Sequence, residues 1–282
     1  MTTFSIILLV FSTLTVLLFF ILYFTYHRQN NPKHLVFSSV GDRNSVQTWI
    51  SDPSKKNFDL AIYYYGEKDK PEFDAELIVK RKGLKFDNFY HYLKHNEISQ
   101  YESIWVVDDD IVIDTTSINK MFFLFSKYKL WLAQPSFIDG SSISWDITKK
   151  NPDRILRFTN FAENGVAIFS KHILPKLDET FKDARTGFGI DLIWPYLLGY
   201  PKNKIAIIDA VSCSHPKGNE SSLDKVIPRE LHLTQGVELL KYYGLLPSDC
   251  NPSQIKTWDM LYDSLPDNAR EFREYKRVKI LP

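Results

Sequence analysis

Ile104-Trp105-Val106-Val107-Asp108-Asp109-Asp110-Ile111-Val112-Ile113 is a hydrophobic run that ends in three carboxylates and resumes as three aliphatic residues. Ser103 to Val107 reads as a strand. Its apolar residues are continuous rather than alternating, which fits a strand covered on both faces, as in a parallel sheet with helices around it. If the extended chain continues, Asp108 and Asp110 face one way and Asp109 the other. Ionised carboxylates this close repel one another. A divalent cation offsets that repulsion and lets a phosphate approach. A solvated acidic turn is the plain alternative, but the aliphatic residues behind the turn place it near the core. Asp114 is read as a turn residue.

Other segments repeat the pattern. Leu35 to Val40 reads as a strand broken by Gly41-Asp42, and Phe58 to Tyr65 as another ended by Gly66. Asp87 to Asn96 has Phe89, Tyr92 and Leu93 at helical spacing. Thr116 to Tyr128 reads as a helix with Ser117 as N-cap. Leu130 to Gln134 is a short strand stopped by Pro135. Arg157 to Asn160 and Gly165 to Phe169 flank Glu163. Lys171 to Thr180 starts a helix limited by Pro175. Gly187 to Leu198 opens with glycines and becomes helical. Lys204 to Asp209 is a strand leading to His215, and a helix runs from the Leu233 region to Tyr243. Alternating strands and helices argue for one α/β domain with its site at the carboxyl ends of the strands.

The chain has 282 residues, 35 Lys and Arg against 34 Asp and Glu, and a net charge of +1. That balance gives no support for a nucleic-acid partner. Phe4 to Tyr26 contains no charged residue, and its 23 residues reach about 35 Å as a helix, enough for a bilayer core of roughly 30 Å. A single-pass anchor is expected there, with a cleaved signal peptide as the alternative. Arg28 and Lys33 follow the span, so the positive-inside rule puts that side in the cytoplasm, opposite to a luminal catalytic domain. An endomembrane, Golgi-like or host membrane is the expected location, with the side left open. The two cysteines, Cys213 and Cys250, mark no disulfide scaffold, and Asn219-Glu220-Ser221 is an acceptor sequon only on a luminal side. The expected boundaries are a tail over 1–3, the anchor over 4–26, a linker over 27–33, a catalytic domain over 34–250 and a C-terminal extension over 251–282.

Six segments in order carry a resemblance: Val79-Lys-Arg-Lys-Gly-Leu-Lys-Phe86, Trp105-Val-Val-Asp-Asp-Asp-Ile111, Ala133-Gln-Pro-Ser136, Arg157-Phe-Thr-Asn-Phe-Ala-Glu163, Gly187-Phe-Gly-Ile-Asp191 and Ile208-Asp-Ala-Val211 followed by His215. Over roughly Lys33 to Gly244 the chain resembles a GT-A-type, nucleotide-sugar-dependent glycosyltransferase with an Asp-x-Asp metal site. More closely it resembles the glycosyltransferase-like family formerly labelled lysine-ketoglutarate reductase trans-splicing related. The resemblance implies a GT-A-like domain with a mixed, mostly parallel central sheet behind an N-terminal transmembrane helix. It implies Mn²⁺ or Mg²⁺ held by Asp110 and His215, with Asp108 at the ribose, a bound water or the metal.

The same resemblance implies a donor nucleotide beside Gly41, Asp42 and Arg43, with Asp109 close by and a UDP-sugar favoured. Lys82 and Lys85, from the basic run, and Lys217 are expected to screen the diphosphate; a solvated charged face is the alternative. In Gly187-Phe188-Gly189 the glycines permit close backbone approach, and Asp191 is the expected general base toward an acceptor hydroxyl. Glu163 ranks second for that role. Trp145 and Trp194 are sugar-stacking candidates, with Trp194 equally suited to the core. The expected activity is transfer of a sugar to a hydroxyl of a glycan or glycoconjugate, with inversion. A retaining transferase of the same fold, a metal-dependent phosphoryl-transfer or hydrolytic enzyme, and a degenerate membrane-tethered carbohydrate-binding protein are the alternatives.

Overall fold

The computed structural model describes residues 33–184, 186–216 and 227–279. Nine strands form one sheet: β1 (His34–Val40), β2 (Asp59–Tyr64), β3 (Leu77–Lys80), β4 (Ser103–Val107), β5 (Leu132–Phe137), β6 (Arg154–Thr159), β7 (Val166–Ser170), β8 (Ile205–Cys213) and β9 (Glu274–Lys279). Their order is β3-β2-β1-β4-β7-β5-β8-β6-β9. The β1–β2, β1–β4, β2–β3 and β5–β8 pairs are parallel. The β4–β7, β5–β7, β6–β8 and β6–β9 pairs are antiparallel. The sheet is therefore mixed as expected, but only half of its pairings are parallel rather than most. β7, antiparallel between β4 and β5, and β6, antiparallel between β8 and β9, account for the other half.

Besides four short 3₁₀ turns, the described elements include eight α-helices: α1 (Val46–Trp49), α2 (Lys85–His95), α3 (Thr115–Lys127), α4 (Leu174–Asp183), α5 (Ile190–Leu197), α6 (Arg229–Tyr242), α7 (Trp258–Asp263) and α8 (Asp267–Arg270). The strand that carries the aspartates is buried along its whole length. Ile104 and Val106 join one core cluster, while Trp105 and Val107 join the other. The unbroken apolar run thus arises because both faces of β4 are covered. Burying four such side chains fully is worth about 1.5–3 kcal/mol each against exposure.

Several local expectations are corrected. The N-cap of α3 is Asp114, not Ser117: the Asp114 carboxylate accepts from the Ser117 backbone N–H at 2.9 Å and from its hydroxyl at 2.8 Å. β5 does not stop at Pro135. It continues to Phe137, with its register against β8 shifting between Pro135 and Ser136, so the missing proline donor falls at an irregularity. Pro175 lies in the first turn of α4, where its absent N–H costs little. Cys213, which is buried, and Cys250 are both free.

The expected transmembrane helix, and with it the membrane partner and single-pass location, is corrected. No helix among the described residues is long and apolar enough to cross a membrane. The longest described helix, α6, has 14 residues, about 21 Å, well short of a bilayer core. Phe4 to Tyr26 and the sequon at Asn219 lie outside the described residues.

Candidate functional site

The site forms where the loops after β1, β4, the β6–β7 turn and β8 meet the start of α5. β4 delivers Asp108, Asp109 and Asp110 to this edge. The Asp109 carboxylate accepts from the Gly41 N–H at 2.7 Å and from the Tyr65 hydroxyl at 3.3 Å. It braces the loop after β1 against the end of β4. Burial drives its pKa up to about 7, against the pull of the Gly41 amide. Asp42, in the same loop, accepts from the Tyr64 hydroxyl and from the Glu67 N–H. Arg43 is exposed.

Asp108 meets Lys85, the first residue of α2, with 2.6 Å between Oδ1 and Nζ. The Lys85 ammonium also donates to the Asn164 carbonyl at 2.9 Å and lies 4.7 Å from the Phe86 ring centroid. Its side chain is only 14% exposed, so this cation is fixed rather than floating. Gly165 makes the approach possible. Its carbonyl accepts from the Asp108 N–H at 2.8 Å, and a Cβ at Gly165 would stand 2.9 Å from Asp108 Oδ2. Lys82 points elsewhere, donating to the Tyr65 carbonyl at 2.6 Å and pairing with Glu67.

Asp110 meets His215, with Oδ2 and Nε2 3.2 Å apart, and His215 Nδ1 lies 3.2 Å from the Ser142 carbonyl. The hydrogen bond to Asp110 raises the imidazole pKa. Burial opposes ionisation of Asp110, but His215 holds it below the usual carboxylate range. Asp110 Oδ1 is buried without a hydrogen-bond partner among the described residues. The expectation of a Mn²⁺ or Mg²⁺ centre is corrected on this geometry. Among the described residues no group of three or more His, Cys, Asp or Glu side chains is placed to hold a metal ion. Asp110 and His215 approach each other, but Asp108 is engaged by Lys85. Two side chains fall short of the oxygen-rich shell such cations take.

Two further carboxylates lie deeper. Glu163 follows β6, and its backbone N–H donates to the buried Gln134 side-chain oxygen at 2.6 Å. Glu163 Oε2 is buried and makes no hydrogen bond among the described residues. Burial first, then the charge of Asp191, pushes Glu163 up to about 7. Asp191 is 6% exposed and sits in the first turn of α5. Burial pushes it up to about 7 as well, against the opposing pull of its own and the Leu192 amide and of Lys85. Asn164 ties the two loops together, donating to the Gly187 carbonyl at 2.9 Å and reaching Asp191 Oδ2 at 3.5 Å.

Gly187 and Gly189 both adopt positive φ, +78° and +84°, a region open to glycine but strained for other residues. That turn is what starts α5 with Asp191 facing inward. Phe188 is stacked between His232 and Trp258 at ring-centroid distances of 4.9 and 5.1 Å. Trp194 is corrected to the core: it is fully buried, with its indole N–H donating to the Thr180 hydroxyl at 3.1 Å. Trp145 is partly buried and packs edge-on against Tyr262 and Phe272, each at 4.9 Å. Lys217 lies outside the described residues.

Sequence reasoning missed Gln134, Asn164 and Gly165 as site-builders. Asn164-Gly165 directly follows Glu163, and a polar-glycine pair after a carboxylate is a signal of close backbone approach.

No family model matches the chain, and no curated protein matches it. Solved structures do. GalNAc-T7, crystallised with UDP, GalNAc and Mn²⁺, is 12% identical with a TM-score of 0.53; the match covers 83% of this chain and 55% of that one. S. aureus TarS 1–349 in complex with UDP-GlcNAc is 10% identical with a TM-score of 0.50, covering 79% of this chain and 69% of that one. A longer S. aureus TarS structure is covered over 41% of its length. The chain thus spans about half or less of two of these proteins. At such identities the likeness shows a shared fold. It supports the glycosyltransferase-type fold and leaves the particular family resembled without support.

Proposed function

We propose that the chain is a glycosyltransferase that moves a sugar from a nucleotide-diphosphate donor to an acceptor hydroxyl. The observation that carries this is the pairing of two buried carboxylates, Glu163 and Asp191, both held near 7, beside the fixed ammonium of Lys85. A carboxylate poised near neutral pH is suited to proton transfer, and a cation in a half-dry cleft is suited to an anionic leaving group. UDP is the favoured nucleotide, because the solved structures sharing the fold contain UDP or a UDP-sugar.

In this reading the loop Gly41–Arg43, braced by Asp109, lines the base and ribose, and Asp108 joins the ribose side. Lys85 faces the diphosphate. The acceptor hydroxyl oxygen attacks the anomeric carbon as the carbon–oxygen bond to the diphosphate breaks. The leaving oxygen keeps that electron pair, and the hydroxyl proton passes to Asp191. Attack opposite the leaving group inverts the anomeric centre. Glu163, protonated beside an ionised Asp191, is placed to donate a hydrogen bond to a sugar hydroxyl.

The test is a panel of nucleotide sugars with the full chain, reading saturable binding, nucleotide release and product anomer. Binding of one UDP-sugar, with release accelerated by an acceptor, is the expected result. Failure of every nucleotide sugar to bind rejects the proposal, and a retained anomer rejects the role given to Asp191.

A further inference from the structure

The connection between β5 and β6 is pinned at two places. Near its start it meets His215. The Ser142 N–H donates to the His215 carbonyl at 2.8 Å, the Ser142 carbonyl lies 3.2 Å from His215 Nδ1, and the His215 N–H donates to the Ser141 hydroxyl at 3.4 Å. Near its end it meets a buried ion pair. Arg157 of β6 is 6% exposed and Asp209 of β8 is 1% exposed. Arg157 donates to both carboxylate oxygens, from Nε at 2.8 Å and from Nη2 at 2.9 Å. The same guanidinium also holds the connection, through Nη1 to the Ile147 carbonyl at 2.9 Å and Nη2 to the Lys149 carbonyl at 2.8 Å. Asp209 accepts in addition from the Asn151 N–H at 2.8 Å. Between the two pins Trp145 packs edge-on to Phe161 at 5.7 Å, two residues before Glu163, and Ser142 and Ser144 are exposed.

We infer that Arg157 and Asp209 are positioning residues for the acceptor: they fix the β5–β6 connection, which forms one wall of the acceptor subsite with Trp145 and the Ser142 and Ser144 hydroxyls. The inference rests on the glycosyltransferase reading. A buried ion pair is costly to desolvate and is weak evidence of stabilisation. What this pair does is set three backbone groups of one connection, the carbonyls of Ile147 and Lys149 and the amide of Asn151. The planar guanidinium fork suits that task, whereas an ammonium is a point charge without it. The groups given to the donor take their contacts from other loops: Gly41 from Asp109, Asp42 from Tyr64 and Glu67, and Lys85 from Asp108 and Asn164. A wall of one large ring and hydroxyls suits a sugar-bearing acceptor.

The full chain carrying Arg157→Met together with Asp209→Asn tests this. The double variant leaves no unpaired charge buried at the pair, so it recovers part of the stability that Arg157→Met alone loses, yet both carbonyl contacts are gone. Acceptor kcat/KM is expected to fall roughly ten- to a hundredfold, the scale of a group misplaced by about 1 Å. Most of that fall lies in a raised acceptor KM, while the Kd of the UDP-sugar bound by the parent stays unchanged. Amide hydrogen exchange over residues 138–151 should quicken about tenfold or more, with β4 unchanged. Arg157→Lys, which keeps a charge beside Asp209 without the fork, should show the same split in smaller measure and serves if the double variant does not fold. Parental acceptor kinetics in a folded variant overturn the inference. So does parental exchange over 138–151, which is read without any activity, and so does a UDP-sugar affinity that falls in step with acceptor turnover. A parent chain that binds no nucleotide sugar rejects the underlying reading, and the acceptor assignment with it, whatever the exchange shows.

Discussion

Asp191→Asn separates what the fold needs from what the chemistry needs. The carboxyl is displaced from 3.8 to about 7 by burial, roughly three units. At ~1.4 kcal/mol per unit, ionising it inside the fold costs about 4 kcal/mol. The sign follows from linkage: a carboxyl whose folded pKa is raised contributes its stability in acid, and that stability is lost as pH rises from about 4 through 7. An amide at this position carries no charge to bury but is itself polar, which returns part of the gain. The variant is therefore expected to melt on the order of 5–10 °C above the parent at pH 8. At pH 5 the two should melt within a degree or two of each other. Transfer should fall by about 10²–10⁴, the usual worth of a general base, while UDP-sugar binding persists. Thermal melts at pH 5, 6, 7 and 8 with parallel acceptor-dependent nucleotide release make the measurement. A melting difference independent of pH would refute the burial argument, and near-parental transfer would refute the base.

Lys85→Met keeps the aliphatic stem over Phe86 and removes the cation. UDP-sugar affinity measured by calorimetry should fall about tenfold or more, since hydrogen bonds to charged groups are worth about 1.5–3 kcal/mol; an unchanged Kd refutes the diphosphate role. Gly165→Ala drives a Cβ to 2.9 Å from Asp108 Oδ2, so nucleotide binding should weaken with little loss in thermal midpoint. A variant that binds as the parent does would show that Asp108 moves aside freely. Arg157→Met leaves the Asp209 carboxylate, now held by two bonds from Arg157 at 2.8 and 2.9 Å, buried without its partner. Chemical denaturation should show a loss of about 3–5 kcal/mol, and Asp209→Asn added to it should recover part. A loss below 1 kcal/mol would contradict that account.

The central strands were legible because their burial on both faces wrote an unbroken apolar run, as in β4. The edge strands were not. β3 alternates half-buried and exposed residues and β9 has no fully buried residue, so neither carries a core-strand signature. The direction of β7 is also invisible in sequence: Val166–Ser170 reads identically parallel or antiparallel, and only its neighbours β4 and β5 decide. Asp108, Asp110, Asp191 and His215 were readable as polar residues at strand or helix ends. Their partners were not, because Lys85 reaches Asp108 across 23 positions and Asn164 reaches Asp191 across 27. The metal expectation failed for the same reason. Spacing placed three ligands at one edge, while side-chain direction gave Asp108 to a lysine.

Which of the two deep carboxylates loses its proton first follows from their unequal surroundings. Amides at the start of α5 and Asn164 oppose the burial of Asp191, whereas Glu163 Oε2 has no donor among the described residues and is raised further by Asp191 itself. Two such groups titrate as a pair. The first proton to leave as pH rises comes from the carboxyl with donors waiting, which is Asp191, and its new charge then holds the second proton on Glu163. The pair carries one proton near pH 7, with base and hydrogen-bond donor in separate places. Glu163→Gln fixes that donor as a neutral group. Because Asp191 ionises while Glu163 is still neutral, its acid limb for transfer should stay within a few tenths of a pH unit of the parent's, whereas Asp191→Asn should have no measurable limb at all. If the Glu163→Gln limb instead moved clearly to lower pH, Asp191 had been ionising against a charged Glu163, and the order of ionisation would be reversed and the two roles with it.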